Sequence, residues 1–340
     1  MSMMSPINEK RPLLAITMGD PAGIGPEIIV KTLKHADVFD RCRPLVVGDR
    51  RIFERTFQFN AVGELPFEIL DQPQAGHYLV GTLPLLDLAC ADPNQCKVGE
   101  ISVASGTAAV ECVFKACDLA LEKSVDAVVT TPLNKAAMNQ AGYAYAGHTE
   151  IFKERTKAQK VTMMLTGGAL RVVHISTHVS LQEAVARVKK ARVEEVIQLA
   201  YNVCRDLGIE EPRIAVAGLN PHAGEDGLFG REEQTEIQPA IEACTEKGWN
   251  VSGPLPPDTV FLRAMKGEFD IVVAMYHDQG HIPMKLLAFD TGVNVSLGMP
   301  IIRTSVDHGT AFDIAGSGKA REDSLLAAID VAIQLSTHRK

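Results

Sequence analysis

Continuous apolar runs, each followed by a polar loop and an amphipathic segment, recur along this chain. The clearest runs are Leu13–Thr17, Val125–Thr130, Arg213–Ala217 and Ile271–Met275. Such runs, which do not alternate with polar residues, are typical of strands buried on both faces of a parallel sheet, with helices as the connections. The pattern therefore predicts an α/β fold.

The remaining pattern predicts further elements with less regular spacing. Strands are expected at Leu45–Val47, Val293–Leu297 and Ile301–Ser305, and an antiparallel hairpin at Val161–Leu165 and Arg171–Ser176. Helices are expected at Ile28–Leu33, 101–123, 181–190, 192–207, 231–247 and 322–338, and from Ile151 onward with Thr149 as its cap. GPLPPDTVF (253–261) is expected to be a polar turn, and residues 50–100 show no clear pattern.

Length and composition narrow the class of protein. A chain of 340 residues that is 46% apolar is long enough for two domains, which we expect at residues 1–140 with 296–340 and at 141–295. A net charge of −8 without basic clusters argues against nucleic-acid and membrane partners. No apolar run reaches the roughly 20 residues that span a bilayer, and the first residues lack the apolar core of a secretory signal. We therefore expect a cytoplasmic protein with reduced cysteines.

Three of the predicted strands run into polar loops that carry a histidine. RVVHISTH ends at His178, RIAVAGLNPH ends at His222, and DIVVAMYH ends at His277. Because ligands bind at the carboxyl ends of strands in open α/β sheets, these side chains are expected at one crevice. Neutral imidazole suits Zn²⁺ or Co²⁺, and three protein ligands leave positions open for a substrate. The sequence therefore predicts a divided metal site.

Other polar residues favour binding of an anion and a nucleotide. Lys285, Asn294 and Arg303 have apolar neighbours, and such a set can bind phosphate or carboxylate. The stretch from His308 to Asp313 is typical of a nucleotide loop, in which a carboxylate near the ribose favours NAD. The glycines of MGDPAGIGPE do not follow the G-x-G-x-x-G spacing of dinucleotide-binding loops. They either let the backbone come close to a ligand or form a tight turn.

Several sequence blocks, taken together and in this order, resemble the 4-hydroxythreonine-4-phosphate dehydrogenase (PdxA) family. They cover nearly the whole chain: ITMGDPAGIGPE (16–27), GHTE (147–150), STH (176–178), GLNPHAGE (218–225), GPLPPDTVF (253–261), MYHDQG (275–280) and IRTSVDHGTAFDIAG (302–316). The resemblance implies two α/β/α domains with a cleft between them, as in isocitrate and isopropylmalate dehydrogenases. It also implies a homodimer with shared active sites.

The resemblance also assigns roles to individual residues. Metal ligands for Zn, Co or Mg are expected at His178, His222 and His277. Substrate-binding positions are expected at His148, Thr149, Lys285, Asn294 and Arg303. The adenosine part of NAD, or of NADP as the alternative, is expected at His308, Gly309, Thr310, Ala311, Asp313 and Gly316. The catalytic base is expected among Lys285, Asp258 and His148.

The expected reaction is oxidation of a 4-phosphorylated four-carbon 3-hydroxy acid, followed by loss of CO₂. Two features distinguish this chain from the vitamin B6 biosynthetic members: HDQG is followed by His281-Ile282-Pro283, and Asp20 stands where those members tend to carry glutamate. Both favour the branch of the family that acts on 4-phospho-D-threonate or 4-phospho-D-erythronate and yields dihydroxyacetone phosphate. The alternative is the 4-hydroxythreonine-4-phosphate dehydrogenase reaction of pyridoxal phosphate biosynthesis.

Other function classes remain open at the level of the sequence. An acyl or phosphoryl transferase on a similar scaffold would use the glycine-rich loops without needing three histidines or a nucleotide loop. A metal-dependent hydrolase would use the histidines without NAD. A non-catalytic binding module is least favoured, because many polar groups converge in glycine-rich loops.

Overall fold

The computed structural model describes residues 11–288 and 291–339. The first ten residues, where the sequence predicts no secretory signal, lie outside the described residues. The strands are β1 (Leu13–Thr17), β2 (Arg43–Gly48), β3 (Phe67–Ile69), β4 (Leu83–Asp87), β5 (Ala127–Thr130), β6 (Thr162–Gly167), β7 (Leu170–His174), β8 (Arg213–Ala217), β9 (Asn250–Leu255), β10 (Ile271–Ala274), β11 (Val293–Leu297) and β12 (Arg303–Val306).

Helices connect most of these strands. They are α1 (Gly25–Thr32), α2 (Ala36–Arg41), α3 (Arg50–Phe57), α4 (Val103–Leu121), α5 (Lys135–Gln140), α6 (His148–Thr156), α7 (Leu181–Arg187), α8 (Lys190–Asp206), α9 (Gln238–Thr245), α10 (Pro257–Met265), α11 (His277–Ala288) and α12 (Asp323–His338). Short 3₁₀ turns occupy Pro73–Ala75 and Pro221–Gly227, and a π turn occupies Glu233–Ile237. Each helix within the described ranges is too short or too polar to cross a bilayer. The α/β class predicted from the sequence is confirmed.

The chain divides into two compact units, the first of which extends to Ala158 and includes Pro300–Thr337. Its strands lie in the order β3-β4-β2-β1-β5-β12, and neighbouring strands are parallel. The apolar run that predicts β1 is fully buried, with Leu14 and Ile16 inaccessible to solvent. Helix α4 packs against β1, β2 and β5, as expected of a crossover helix that covers a parallel sheet.

The second unit spans Gln159–Met299 together with the residues from His338. Its strands lie in the order β11-β6-β7-β10-β8-β9. Strands β6 and β7 form the predicted antiparallel hairpin, whereas β7, β10, β8 and β9 are parallel. Helices α10 and α11 contribute to one apolar core that includes Val260, Phe261 and Met284. The strands that precede His178, His222 and His277 are thus parallel neighbours, so their carboxyl ends lie at the same edge of the sheet.

The structure corrects two local predictions. The segment expected to be a polar turn begins with the last residues of β9, which ends at Leu255 and pairs with β8 at the edge of the sheet. An edge strand tolerates proline, because its outward N–H groups have no ladder partner to lose. Helix α6 begins at His148 with Gly147 as its N-cap, so Thr149 lies within the first turn and does not cap the helix.

Helices α4 and α5 approach closely because residue 106 is glycine. A Cβ atom added at Gly106 would lie 2.2 Å from the carbonyl oxygen of Ala137. We expect Gly106→Ala to lower the free energy of unfolding by about 1–3 kcal/mol, although alanine favours a helix, because the overpacked backbone has to move. Urea denaturation measures this difference.

Gly309→Ala serves as the control, because no atom lies within 4 Å of the added carbon there. Its unfolding free energy should stay close to that of the wild type. A Gly106→Ala protein as stable as the wild type would show that the helices can separate freely.

Candidate functional site

A polar turn begins helix α11 directly after the buried strand β10. His277 lies in this turn, and its Nδ1 is 2.7 Å from the Oδ1 atom of Asp278. A carboxylate only accepts hydrogen bonds, so the imidazole donates through Nδ1. This tautomer leaves the lone pair of Nε2 available to a metal ion, and carboxylates commonly orient metal-binding histidines in this way.

Gln279 joins this turn to the loop that follows β8. Its Oε1 atom accepts a hydrogen bond from the backbone N–H of Met275, and its Nε2 atom donates to the carbonyl oxygen of Gly218, both at 2.7 Å. The side chain is only 8% exposed, and a buried amide is costly unless its polar atoms are paired. Gln279 therefore fixes the His277 turn relative to the segment that leads to His222.

His222 lies in a turn with an unusual backbone. His222 and Ala223 have φ values of 53° and 55°, and Glu225 and Asp226 are also left-handed. This conformation costs a non-glycine residue roughly 1–2 kcal/mol, and such strain often accumulates at functional sites. The turn is therefore held by contacts elsewhere.

A buried carboxylate, Glu233, supplies those contacts. One of its oxygens accepts the backbone N–H groups of Leu219 at 2.8 Å and Asn220 at 2.7 Å, and the other accepts from the Asn220 side chain at 2.9 Å. A Cβ atom on Gly224 would lie 2.8 Å from the same carboxylate. Sequence reasoning missed Glu233, because it is one of several acidic residues in a polar segment.

Two of the three predicted metal ligands lie together. The ring centroids of His178 and His277 are 5.6 Å apart, beside a cleft of about 490 Å³ that Thr177, Leu181 and Tyr276 also line. His222 instead lies near Phe229, with ring centroids 6.4 Å apart. Across residues 11–288 and 291–339, no three His, Cys, Asp or Glu side chains form a group that could hold a metal ion.

His178 and His277 are suitable ligands for a divalent metal, but two ligands alone do not complete a metal site. His178 and His277 offer imidazoles of the kind that Zn²⁺ and Co²⁺ bind, and Asp278 fixes the tautomer of one of them. A metal site needs at least one further protein ligand in most cases. The described part of the chain therefore places two candidate metal ligands, His178 and His277, at the cleft. The third, His222, lies on the turn that Glu233 holds.

The first unit brings together cationic and hydrogen-bonding side chains that are suited to an anion. Arg303 begins β12, is only 2% exposed, and donates through Nη2 to the Thr130 hydroxyl at 2.7 Å. Burial lowers the pKa of His148, and the charges of Arg303 and Lys135 lower it further, so the imidazole stays neutral. Within residues 11–288 and 291–339, the buried Nε2 atom of His148 has no hydrogen-bond partner. The sequence did not single out Lys135.

Helix α6 adds its amino-terminal end to this group of residues. His148 and Thr149 occupy its first turn, where backbone N–H groups are free of intrahelical partners and favour negative charge. Burial lowers the pKa of Arg303, while the nearby charge of Glu150 opposes that effect. The arrangement can bind a phosphate or a carboxylate.

The other predicted substrate and base residues belong to the second unit. Lys285 lies on α11, the helix that carries His277. Asn294 lies on β11, where its Nδ2 atom faces the sulfur of Met163 and its buried Oδ1 atom has no hydrogen-bond partner. Asp258 is exposed in the first turn of α10, a helix that packs against the His222 turn.

The predicted nucleotide loop is fastened to the glycine-rich segment after β1. Ile24 donates its backbone N–H to the carbonyl oxygen of Thr310 at 3.1 Å, and a Cβ atom on Gly23 would lie 2.9 Å from that oxygen. Glu27 accepts the backbone N–H of Gly316. Tight turns and close approach of two loops therefore explain these glycines. Asp313 is exposed and accessible to a ribose.

Lys31 completes this fastening. Its ammonium group donates to the carbonyl oxygens of Gly318 at 2.7 Å and Ala320 at 2.6 Å. The loop from His308 to Gly316 contains one left-handed residue besides glycine, Ala311, with φ of 43°. Sequence reasoning missed both Glu27 and Lys31, since their partners are backbone groups nearly 290 residues away.

Comparison with known proteins gives one consistent result. The family model described as "Pyridoxal phosphate biosynthetic protein PdxA" matches residues 40–332. The D-threonate 4-phosphate dehydrogenase of Pectobacterium atrosepticum is 46% identical over 95% of this chain and 99% of its own length. The 4-hydroxythreonine-4-phosphate dehydrogenase of Desulforapulum autotrophicum is 46% identical over 97% of each chain.

A solved structure agrees with these sequence relatives. The crystal structure of a 4-hydroxythreonine-4-phosphate dehydrogenase from Klebsiella pneumoniae has a TM-score of 0.90 to this chain, with 45% sequence identity. The match covers 97% of this chain and 99% of that one. Similarity therefore extends over both units.

Asp20, in the glycine-rich segment, makes stability depend on pH. Its Oδ1 atom accepts the backbone N–H of Ala22 at 2.8 Å, but burial raises its pKa from 3.8 to about 6. The folded state thus retains a proton that the unfolded chain releases, so stability falls as pH rises from about 4 to about 6. Asp20→Asn removes this titration.

We expect the unfolding free energy of Asp20→Asn, minus that of the wild type, to be about 2–3 kcal/mol larger at about pH 7 than at about pH 4. Urea denaturation of both proteins at the two pH values measures the change. A difference that stays constant across this range would show that Asp20 titrates normally.

Proposed function

Because the chain belongs to the PdxA family, we propose that it catalyses the metal- and NAD-dependent oxidative decarboxylation of a 4-phosphorylated four-carbon 3-hydroxy acid. The observation that supports this most directly is the pair His178 and His277 at a cleft of about 490 Å³. That volume suits a small ligand. The buried cation Arg303 supports recognition of a charged substrate.

The proposed substrate is 4-phospho-D-threonate or 4-phospho-D-erythronate, with dihydroxyacetone phosphate and CO₂ as products. The alternative is 4-hydroxythreonine 4-phosphate. The chain is 46% identical to relatives named for either substrate, so overall identity does not decide between them. His281, which follows HDQG in this sequence, supports the sugar-acid substrate.

In the proposed reaction, C3 loses a hydride to NAD⁺ and its hydroxyl proton to a base. The carboxylate then leaves as CO₂, and the electrons of the broken bond pass to C2, which takes up a proton. When bound, a divalent metal (Zn, Co or Mg) supplies a Lewis acid that polarises the substrate oxygens. His178, His222 and His277 would hold it.

Residues of the chain supply binding and proton transfer. Arg303 and Lys135 neutralise an anionic group of the substrate, and the neutral His148 offers a buried Nε2 atom for a hydrogen bond. Thr149, Lys285 and Asn294 are the further proposed substrate contacts, and the base is one of Lys285, Asp258 and His148. The loop from His308 to Gly316 binds the adenosine part of NAD, with exposed Asp313 favouring NAD over NADP.

We also propose that the enzyme is a cytoplasmic homodimer in which a second copy completes the active site. Helix α11, which carries His277 and Lys285, exposes Ile282 (56%), Leu286 (81%) and Leu287 (47%). Neighbouring exposed apolar side chains are typical of an interface. The two compact units would be the two α/β/α domains of the family.

NADH formation, followed by absorbance, tests the proposed reaction. The purified protein is supplied with NAD⁺, a divalent metal and, in separate assays, 4-phospho-D-threonate, 4-phospho-D-erythronate and 4-hydroxythreonine 4-phosphate. We expect turnover with a sugar acid. Turnover with the amino acid alone would overturn the substrate assignment, and no NADH with any substrate would overturn the dehydrogenase proposal.

Removal of a proposed metal ligand should separate catalysis from cofactor binding. We expect His277→Ala to reduce turnover by more than roughly 100-fold. Mutating a residue that only holds a metal ligand in place typically costs up to about 100-fold, and losing the ligand itself should cost more. NADH binding, measured by fluorescence, should be unchanged, because the proposed nucleotide loop lies in the other unit. Turnover near the wild-type rate would refute the metal role of His277.

A charge on the exposed face of α11 should prevent dimerisation. We expect Leu286→Glu to sediment as a monomer and to lose activity, because burying an unpaired carboxylate costs several kcal/mol. Leu79→Glu, which changes a 49% exposed leucine of the first unit, should remain dimeric. A dimeric Leu286→Glu protein would place the interface elsewhere.

A further inference from the structure

Four histidine rings form a continuous row in the second unit. The rings of His277 and His281 are stacked, with centroids 3.6 Å apart and planes only 11° from parallel. His174 lies on the other side of His281, with centroids 4.7 Å apart. His178 lies near His277 at 5.6 Å. The two proposed metal ligands therefore stand at one end of the row, and two further histidines stand behind them.

The ring of His281 is fixed by its position on α11. Its Nδ1 atom is 3.0 Å from the carbonyl oxygen of His277, and a carbonyl only accepts, so this nitrogen carries the proton. Residues four apart on a helix lie on the same face, which places the second ring over the first. The same residue thus contacts both the backbone and the ring of His277.

His174 supports the stack from the core. It ends β7 and is fully buried. A Cβ atom on Gly280 would lie only 2.4 Å from its Nε2 atom. Glycine at this position therefore lets α11 come close enough for His174 to reach His281.

We propose that His281, backed by His174, is a positioning residue that fixes the ring plane of the metal ligand His277. The proposal rests on the metal role of His277 in the proposed function. An imidazole binds a metal ion along the lone pair of Nε2, in the plane of the ring, so rotation of the ring moves the donor. Asp278 holds one edge of that ring, and the stacked face of His281 limits its rotation.

A flat ring at position 281 is the feature that limits rotation of the His277 ring. His281→Leu removes the ring and should weaken metal binding by about 10- to 100-fold, the range found when ligands lose their outer contacts. His281→Phe restores a flat face without the hydrogen bond to the backbone. It should bind metal within a factor of about three of the wild type, if stacking dominates.

Metal affinity is measured on the metal-free full-length protein by competition with a coloured chelator, using Co²⁺ and Zn²⁺. His77→Leu is the matched control, because this histidine is exposed and lies in the other unit. Its affinity should equal that of the wild type. Urea denaturation of each variant establishes that a weaker affinity does not come from loss of folding.

Steady-state kinetics distinguish a residue that positions a metal ligand from a catalytic group. The metal concentration needed for half-maximal NADH formation should rise in His281→Leu, while kcat at saturating metal stays close to the wild-type value. A lowered kcat that added metal does not restore would contradict a positioning role.

The outcomes separate the inference from the function it rests on. A wild-type protein that binds neither metal refutes the metal site itself. If the wild type binds metal and His281→Leu binds it equally well, the stacking inference is wrong. It is also wrong if His281→Phe is as weak as His281→Leu. Weak binding by His281→Leu with recovery in His281→Phe supports it.

Discussion

Gln279 makes the two hydrogen bonds on which the geometry of the histidine region depends. Its buried amide joins the end of β10 to the loop after β8, and each neighbour in the sequence then has a separate task. Asp278 sets the tautomer of His277, and Gly280 leaves space for His174. A short polar turn after a buried strand can therefore orient imidazoles that are otherwise free to rotate.

The two units contribute different chemistry. The second unit places two imidazoles beside a cleft, and the strained His222 turn is held by the buried carboxylate of Glu233. The first unit places the buried cation Arg303 beside a histidine that burial keeps neutral. A neutral imidazole can donate or accept a hydrogen bond according to its tautomer, while the cation supplies charge. We therefore propose that the first unit binds an anionic group and that the second binds a metal.

The sequence predicted some strands well because buried parallel strands are continuous apolar runs, and the parallel strands β1 and β8 have the predicted bounds. It placed His178, His222 and His277 after the ends of strands, and in the structure those strands are parallel neighbours. It missed β9, since proline normally argues against a strand. It missed Glu27 and Glu233, because their partners are backbone N–H groups, which no side-chain pattern reveals. Whether loops bring the three histidines together depends on loop conformation, about which local periodicity carries no information.

Locating a bound metal ion is the sharpest check on the proposed histidine site. Crystals grown with Co²⁺ and measured at the cobalt absorption edge would locate the ion by anomalous scattering. The account predicts a peak bonded to the Nε2 atom of His277 and to His178, with Asp278 still on Nδ1. A peak bonded to neither histidine, or no peak in protein that binds Co²⁺ in solution, would contradict it.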